Sequence, residues 1–192
     1  GLTSIDSNGK EKVFVSDPTN VNSLLTSETG KVLITKRGKI WAASKYGGVT
    51  VINPSENNFT RYENINLSTT SIVPEKINTI YEDATGTIWL SSVGGVSKFK
   101  NGKFSSQYYK PALNNDHLSD VNAFLYDKSG ALWAGTNNNG LYILDYEDLS
   151  VKKHYTLDEE DKFSFSSSTV LCIYEDNNND VWIGTGGEGL FR

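Results

Sequence analysis

An all-β chain of repeated four-stranded antiparallel meanders is predicted by three observations. Its four tryptophans, Trp41, Trp89, Trp133 and Trp182, stand at one phase of an internal repeat, and self-similarity at roughly 40–50 residues marks a propeller or a solenoid. Each Trp lies in a β-rich run entered through a tight turn: VLITKRGKIWAAS, IYEDATGTIWLSS, FLYDKSGALWAGT and IYEDNNNDVWIGT. A Gly-Val or Gly-Leu pair then follows, at Gly48-Val49, Gly95-Val96, Gly140-Leu141 and Gly189-Leu190, and Gly1-Leu2 repeats it at the N-terminus. The fold class predicted is a β-propeller array of four blade-length repeats, a segment of a larger propeller or assembling into one.

The elements follow in order. Residues 1–18 read as strands C and D of an incomplete blade. Blades follow at 31–63, 77–109 and 121–156, and 170–192 is a last partial blade. In the second blade, strand A spans 77–82, B 87–92, C 95–100 and D 103–109, with Asn101-Gly102 as a two-residue hairpin signal. The connection from D to the next A is longer, because the chain must cross a four-stranded sheet whose strands lie about 4.8 Å apart.

The A–B turn fixes the alignment. Gly38, Gly86, Gly130 and Asn179 occupy the position that needs a left-handed backbone. Asp83, Asp127 and Asp176 open the turn, and Thr35 takes that place in the first repeat; their side-chain oxygens accept bonds from nearby N–H groups. Strand B reads KIWAA, TIWLS, ALWAG and DVWIG, apolar or small on both faces, so it is expected to be covered on both sides. Each Trp is then a blade-packing residue, whose removal is expected to cost about 3–5 kcal/mol. A ligand-stacking platform is the rival reading of the four rings, disfavoured by their equal phase.

Composition narrows the function classes. The 192 residues carry 18 Lys and Arg against 23 Asp and Glu, a formal charge of −5 without a basic cluster, which disfavours nucleic acid and anionic membranes as partners. No apolar run approaches the roughly 20 residues of a membrane helix, and the chain reads as a mature or excised piece. The single Cys172 excludes an internal disulfide and, within VLCIYED, is expected to be a small buried hydrophobe.

At these residues the chain resembles the two-component regulator propeller repeat. IYEDNNNDVWIGTGGEGL (173–190) and FLYDKSGALWAGTNNNGLYILD (124–145) carry its pattern closely, IYEDATGTIWLSSVGGVSKF (80–99) well, and the first repeat departs at Thr35 and Ala43-Ser44. The resemblance implies a periplasmic sensor region of a bacterial hybrid two-component system, often concerned with polysaccharides in Bacteroidetes. The remaining domains of such a parent sensor, among them a kinase, would be its partners, and no catalysis would belong to this segment.

Motifs that suggest chemistry have simpler readings. Gly184 to Gly189 satisfies GxGxxG, but a dinucleotide site needs a following helix. Asp176, Asn178 and Asp180 open like a calcium loop, yet Val181 and Gly187 stand where that loop needs Gly and Glu. The run 158–161 (DEED) reads as solvated charge. His117 and His154 sit at different repeat phases, and no pair of carboxylates is marked for glycoside hydrolysis. No metal and no cofactor is expected.

A binding surface remains, where B–C turns and D–A connections share one end of the meander. Tyr46, His117, Asp120, Asn137, Asn138, Asn139 and Glu188 are the candidate ligand residues, their amides, carboxylates and rings suited to an oligosaccharide. The alternatives are a glycan-active enzyme on the same fold, and a purely structural or dimerising propeller. Self-association is expected to complete the open blade, with Val13 and Val15 pairing against the last blade of a second chain; closure within one chain is the other solution.

Overall fold

The computed structural model describes residues 1–63, 76–92, 94–108, 118, 120–156 and 168–192. They form seventeen strands. β1 (Leu2–Ile5) and β2 (Glu11–Phe14) make a hairpin. β3 (Thr29–Ile34), β4 (Ile40–Ser44), β5 (Val49–Asn53) and β6 (Asn58–Tyr62) form one meander, and β7 (Ile77–Glu82), β8 (Ile88–Ser92), β9 (Gly95–Lys100) and β10 (Lys103–Tyr108) the next. β11 (Val121–Tyr126), β12 (Leu132–Thr136), β13 (Leu141–Leu144) and β14 (Val151–Tyr155) make the third. The last sheet has three strands, β15 (Val170–Glu175), β16 (Val181–Thr185) and β17 (Leu190–Phe191). Strand order follows chain order in every sheet, the pattern of propeller blades.

Local chemistry sets the turns. Gly38, Gly86, Gly130 and Asn179 all have positive φ, between 67 and 86°. Asn101 and Gly102 both lie there too, at 52 and 80°, as a two-residue hairpin demands. Gly140, with φ 72°, meets a further requirement: a Cβ there would lie 2.1 Å from the Tyr155 carbonyl oxygen. The Gly of the Gly-Leu pair thus lets strand D run against the start of strand C.

The chain divides into two compact units, 1–90 with 97–106, and 91–96 with 107–192. In the first, Trp41, Val49, Val51, Ile77, Ile88, Leu90 and Phe104 form the main core, and Leu33, Tyr62 and Phe99 pack against it. Trp41 meets Phe99 edge-on at 5.0 Å and stacks over Tyr62 at 6.3 Å. A smaller core of Leu24, Ala42 and Ile52 receives Leu2 and Phe14 from the β1–β2 hairpin. That hairpin covers only part of the sheet: Val32 and Ile34 of β3 are exposed. Arg61 ties the 17–25 segment down, donating from Nε to the Ser23 carbonyl (3.0 Å) and from its terminal nitrogen to that of Asn20 (2.7 Å).

In the second unit the core is Leu141, Val170 and Ile183, packed by Trp133, Tyr155, Ile173 and Phe191. Gly135 is small because β15 lies on it; a Cβ would come within 2.2 Å of Val170 Cγ1. One sequence expectation fails in the last sheet: Cys172 is exposed and not a buried hydrophobe. Cys172, Tyr174 and Trp182 point to one face of β15–β16, as their register dictates, and among the described residues of the unit no sheet covers that face. Tyr174 is correspondingly 66% exposed.

Candidate functional site: linked B–C turns of the second unit

The candidate ligand residues are placed very differently. His117 lies outside the described residues. Tyr46 projects from the β4–β5 turn, 71% exposed, and donates its hydroxyl to Glu28 Oε1 at 2.8 Å; that bond raises the phenol above its ordinary pKa. Asp120, Asn137, Asn138, Asn139 and Glu188 all belong to the second unit.

Three of these are brought together. Asn137 donates its main-chain N–H to the Asp120 carbonyl (3.1 Å) and its side-chain amide to Asp120 Oδ2 (3.3 Å). Asp120 can present both groups because it takes a left-handed conformation, φ 63°. Asn139 donates its main-chain N–H to Thr136 Oγ1 (2.9 Å) and its amide to the Tyr142 hydroxyl. The Asn139 carbonyl is within 2.7 Å of His154 Nε2, and that imidazole stacks on Tyr142 with ring centres 3.8 Å apart. Asn138, between two pinned neighbours, is exposed.

Sequence reasoning missed the residue that organises this end. Thr169, just before β15, donates its hydroxyl to the Asn137 carbonyl (2.5 Å), and its own carbonyl accepts the Gly186 N–H (3.1 Å). Beside it, the Ser168 carbonyl accepts the Gly140 N–H at 2.8 Å. One segment therefore ties the β12–β13 turn to the β16–β17 turn, which carries exposed Glu188. The only local hint was Gly186, where a Cβ would meet Thr169 Cγ2 at 2.8 Å. Tyr142 and His154 gave no signal either, since their partnership is a cross-strand pair.

The arrangement presents an amide and a carboxylate on two anchored turns. Asp120 and Asn137 are engaged with each other, whereas Asn138 and Glu188 face solvent. Among the described residues, no group of three or more His, Cys, Asp or Glu is placed to hold a metal ion.

The sheets and turns define a class: an all-β array of propeller blades. The two component regulator propeller family model matches residues 164–187, so the chain carries that repeat, over the last of its four Trp phases. A curated relative, histidine kinase P4 of Formosa agariphila, is 26% identical over 147 residues, covering 76% of this chain and 11% of the relative. Two solved extracellular domains assigned to hybrid two component systems of B. thetaiotaomicron share the fold. Each is 22% identical over 99% of this chain; one has a TM-score of 0.75 with 24% of that structure covered, the other 0.69 with 23% covered. The chain thus spans about a tenth of the curated relative and about a quarter of the solved structures.

Proposed function

We propose that this chain is a non-catalytic segment of the periplasmic sensor region of a two-component regulatory system, and that its linked B–C turns contribute to recognising an oligosaccharide or polysaccharide fragment. The observation that carries the reading is the regulator propeller repeat at 164–187, whose segment includes Thr169, the link between the two turns. Asn138 offers an amide that both donates and accepts, and Glu188 a carboxylate that accepts from sugar hydroxyls. The remaining domains of the parent sensor would turn occupancy into signal.

A glycan panel titrated against the chain tests this. Saturable binding without turnover, weakened about tenfold by Asn138→Ala or Glu188→Gln, is the expected result. Bond cleavage would favour a glycan-active enzyme, and no binding at all a structural propeller.

Self-association is a second reading, favoured by apolar surface on the smaller sheets. Val13 and Val15 on the hairpin, and Leu171 and Leu190 in the last sheet, are all more than half exposed. Contiguous apolar strand surface tends to be covered by another chain. A dimeric mass in light scattering, reduced to monomer by Val13→Lys, supports it.

A further inference from the structure

We propose that the first unit holds a second ligand site, a cavity between its two meanders that accepts an acidic sugar residue, one bearing a carboxylate or a sulfate. The proposal takes its ligand class from the glycan-sensor reading. The cavity, about 390 Å³, lies at the end of the sheets that carries the A–B and C–D turns. That is the opposite end of a blade from the B–C turns. Its size falls within the range of about 300–1,000 Å³ usual for small-ligand pockets.

The lining has two parts. Tyr62 and Phe99, both partly exposed and meeting edge-on at 5.5 Å, form an aromatic wall backed by the buried Trp41. Ring faces of this kind pack against the C–H face of a pyranose, burying apolar surface without demanding hydrogen bonds. Arg37, Lys39 and Lys100 also line the cavity, against a single carboxylate, Glu82. Glu82 is already engaged, its Oε2 accepting the Lys36 main-chain N–H at 2.7 Å. Arg37 and Lys39 are exposed and make no ion pair among the described residues.

A neutral sugar would use the wall and leave Arg37 and Lys39 idle. An anionic substituent gives Arg37 a planar, bidentate partner and Lys39 a point charge to meet. Arg37 and Lys39 outnumber the one carboxylate among the lining residues, Glu82, which in a chain whose net charge is −5 is the local reversal of sign that such a ligand needs. The cavity is assembled by β3 lying against β7, so Arg37 and Lys39 come to line one cavity with Tyr62 and Phe99 only in the folded unit.

Isotope-labelled chain titrated with matched oligosaccharides provides the test. Oligogalacturonate and a sulfated galactan are the two charged probes, and unsubstituted galactan is the neutral one. The expected result is that at least one charged probe shifts the amides of Arg37, Lys39, Thr85 and Asn101, and that Arg37→Gln with Lys39→Gln weakens it about a hundredfold, roughly tenfold per charge-assisted contact. Which charged probe binds separates carboxylate from sulfate recognition. The control pair Lys10→Gln with Lys31→Gln, outside the lining, is expected to leave binding within about threefold. Equal loss in the control pair overturns the proposal, as general charge attraction. Glycans that shift only residues 137–139 and 188 overturn it too, while leaving the sensor reading intact; failure of every probe at both places removes both.

Discussion

Trp89 donates its indole N–H to the carboxylate of Asp83 at 2.9 Å, across the turn that joins strands A and B. The other oxygen of the same carboxylate accepts the N–H groups of Thr85 and Thr87, at 2.8 and 3.0 Å. Asp127 holds Trp133 in the same way at 2.6 Å, and Asp176 holds Trp182 at 2.9 Å. One side chain thus closes the turn and orients the ring that packs the blade. Asp83 and Trp89 are both fully buried, so the pair is where the arrangement should matter most.

Asp83→Ala is expected to destabilise the chain by about 3 kcal/mol, since it strands an indole and two backbone donors at once. Trp89→Phe removes the indole donor but keeps most of the apolar volume. In a double-mutant cycle the two changes should miss additivity by about 1 kcal/mol or more, read from denaturant midpoints. Strict additivity would mean the hydrogen bond contributes nothing.

Stability should fall in acid, with a window set by the turn carboxylates. Burial pushes Asp127 up, but bonds from Ser129, Trp133 and Ala131 outweigh it and hold the group below its ordinary value. Asp176 is lowered chiefly by the Trp182 indole. Asp145, hydrogen-bonded by Lys152, lies at about 2. A carboxylate lowered by folding contributes in full above its unfolded pKa of about 3.9, and that contribution is lost as pH falls through the folded value. Denaturant midpoints should be level above about pH 5 and drop between roughly pH 4 and 2. Trp133→Phe and Trp182→Phe should flatten the drop; a midpoint unchanged down to pH 2.5 would refute the account.

Gly140→Ala should cost about 3 kcal/mol or more, combining a left-handed backbone with the close approach to the Tyr155 carbonyl. Gly38 has the same backbone sign but nothing within 4 Å of a Cβ. Gly38→Ala is therefore expected to cost about 1 kcal/mol. Equal costs at the two positions, measured by urea unfolding, would show that contact is irrelevant.

Cys172 should react with a thiol-titrating reagent in the native monomer, at a rate close to that of the unfolded chain. Its exposure is the reason. Reaction that waits for global unfolding would place the thiol in a core after all.

The repeat, the turns and the strand order were legible in the sequence by itself. Strand A of the second blade was expected at 77–82 and is Ile77–Glu82; strand C was expected at 95–100 and is Gly95–Lys100. These features are local: a turn needs its Gly or Asp within a few residues, and a strand declares itself by its own apolar run. The sequence also showed that Asp83, Asp127 and Asp176 serve turns, though not that each spends its second oxygen on a tryptophan six residues away. Only the tertiary structure decided which strand faces are covered. Cys172 sits in the same kind of apolar run as the other A strands, yet its burial depends on what packs over β15. It also decided that Asn137 and Asn139 are consumed by Asp120 and Tyr142 while Asn138 is not. Thr169 acquires its linking role because Asn137 is folded against it, and Arg37 and Lys39 share a cavity with Tyr62 and Phe99 because β3 lies against β7. Apart from Asn139 and Tyr142, which a hairpin brings together, these pairings join residues from about 20 to 60 positions apart, and periodicity reports only on near neighbours.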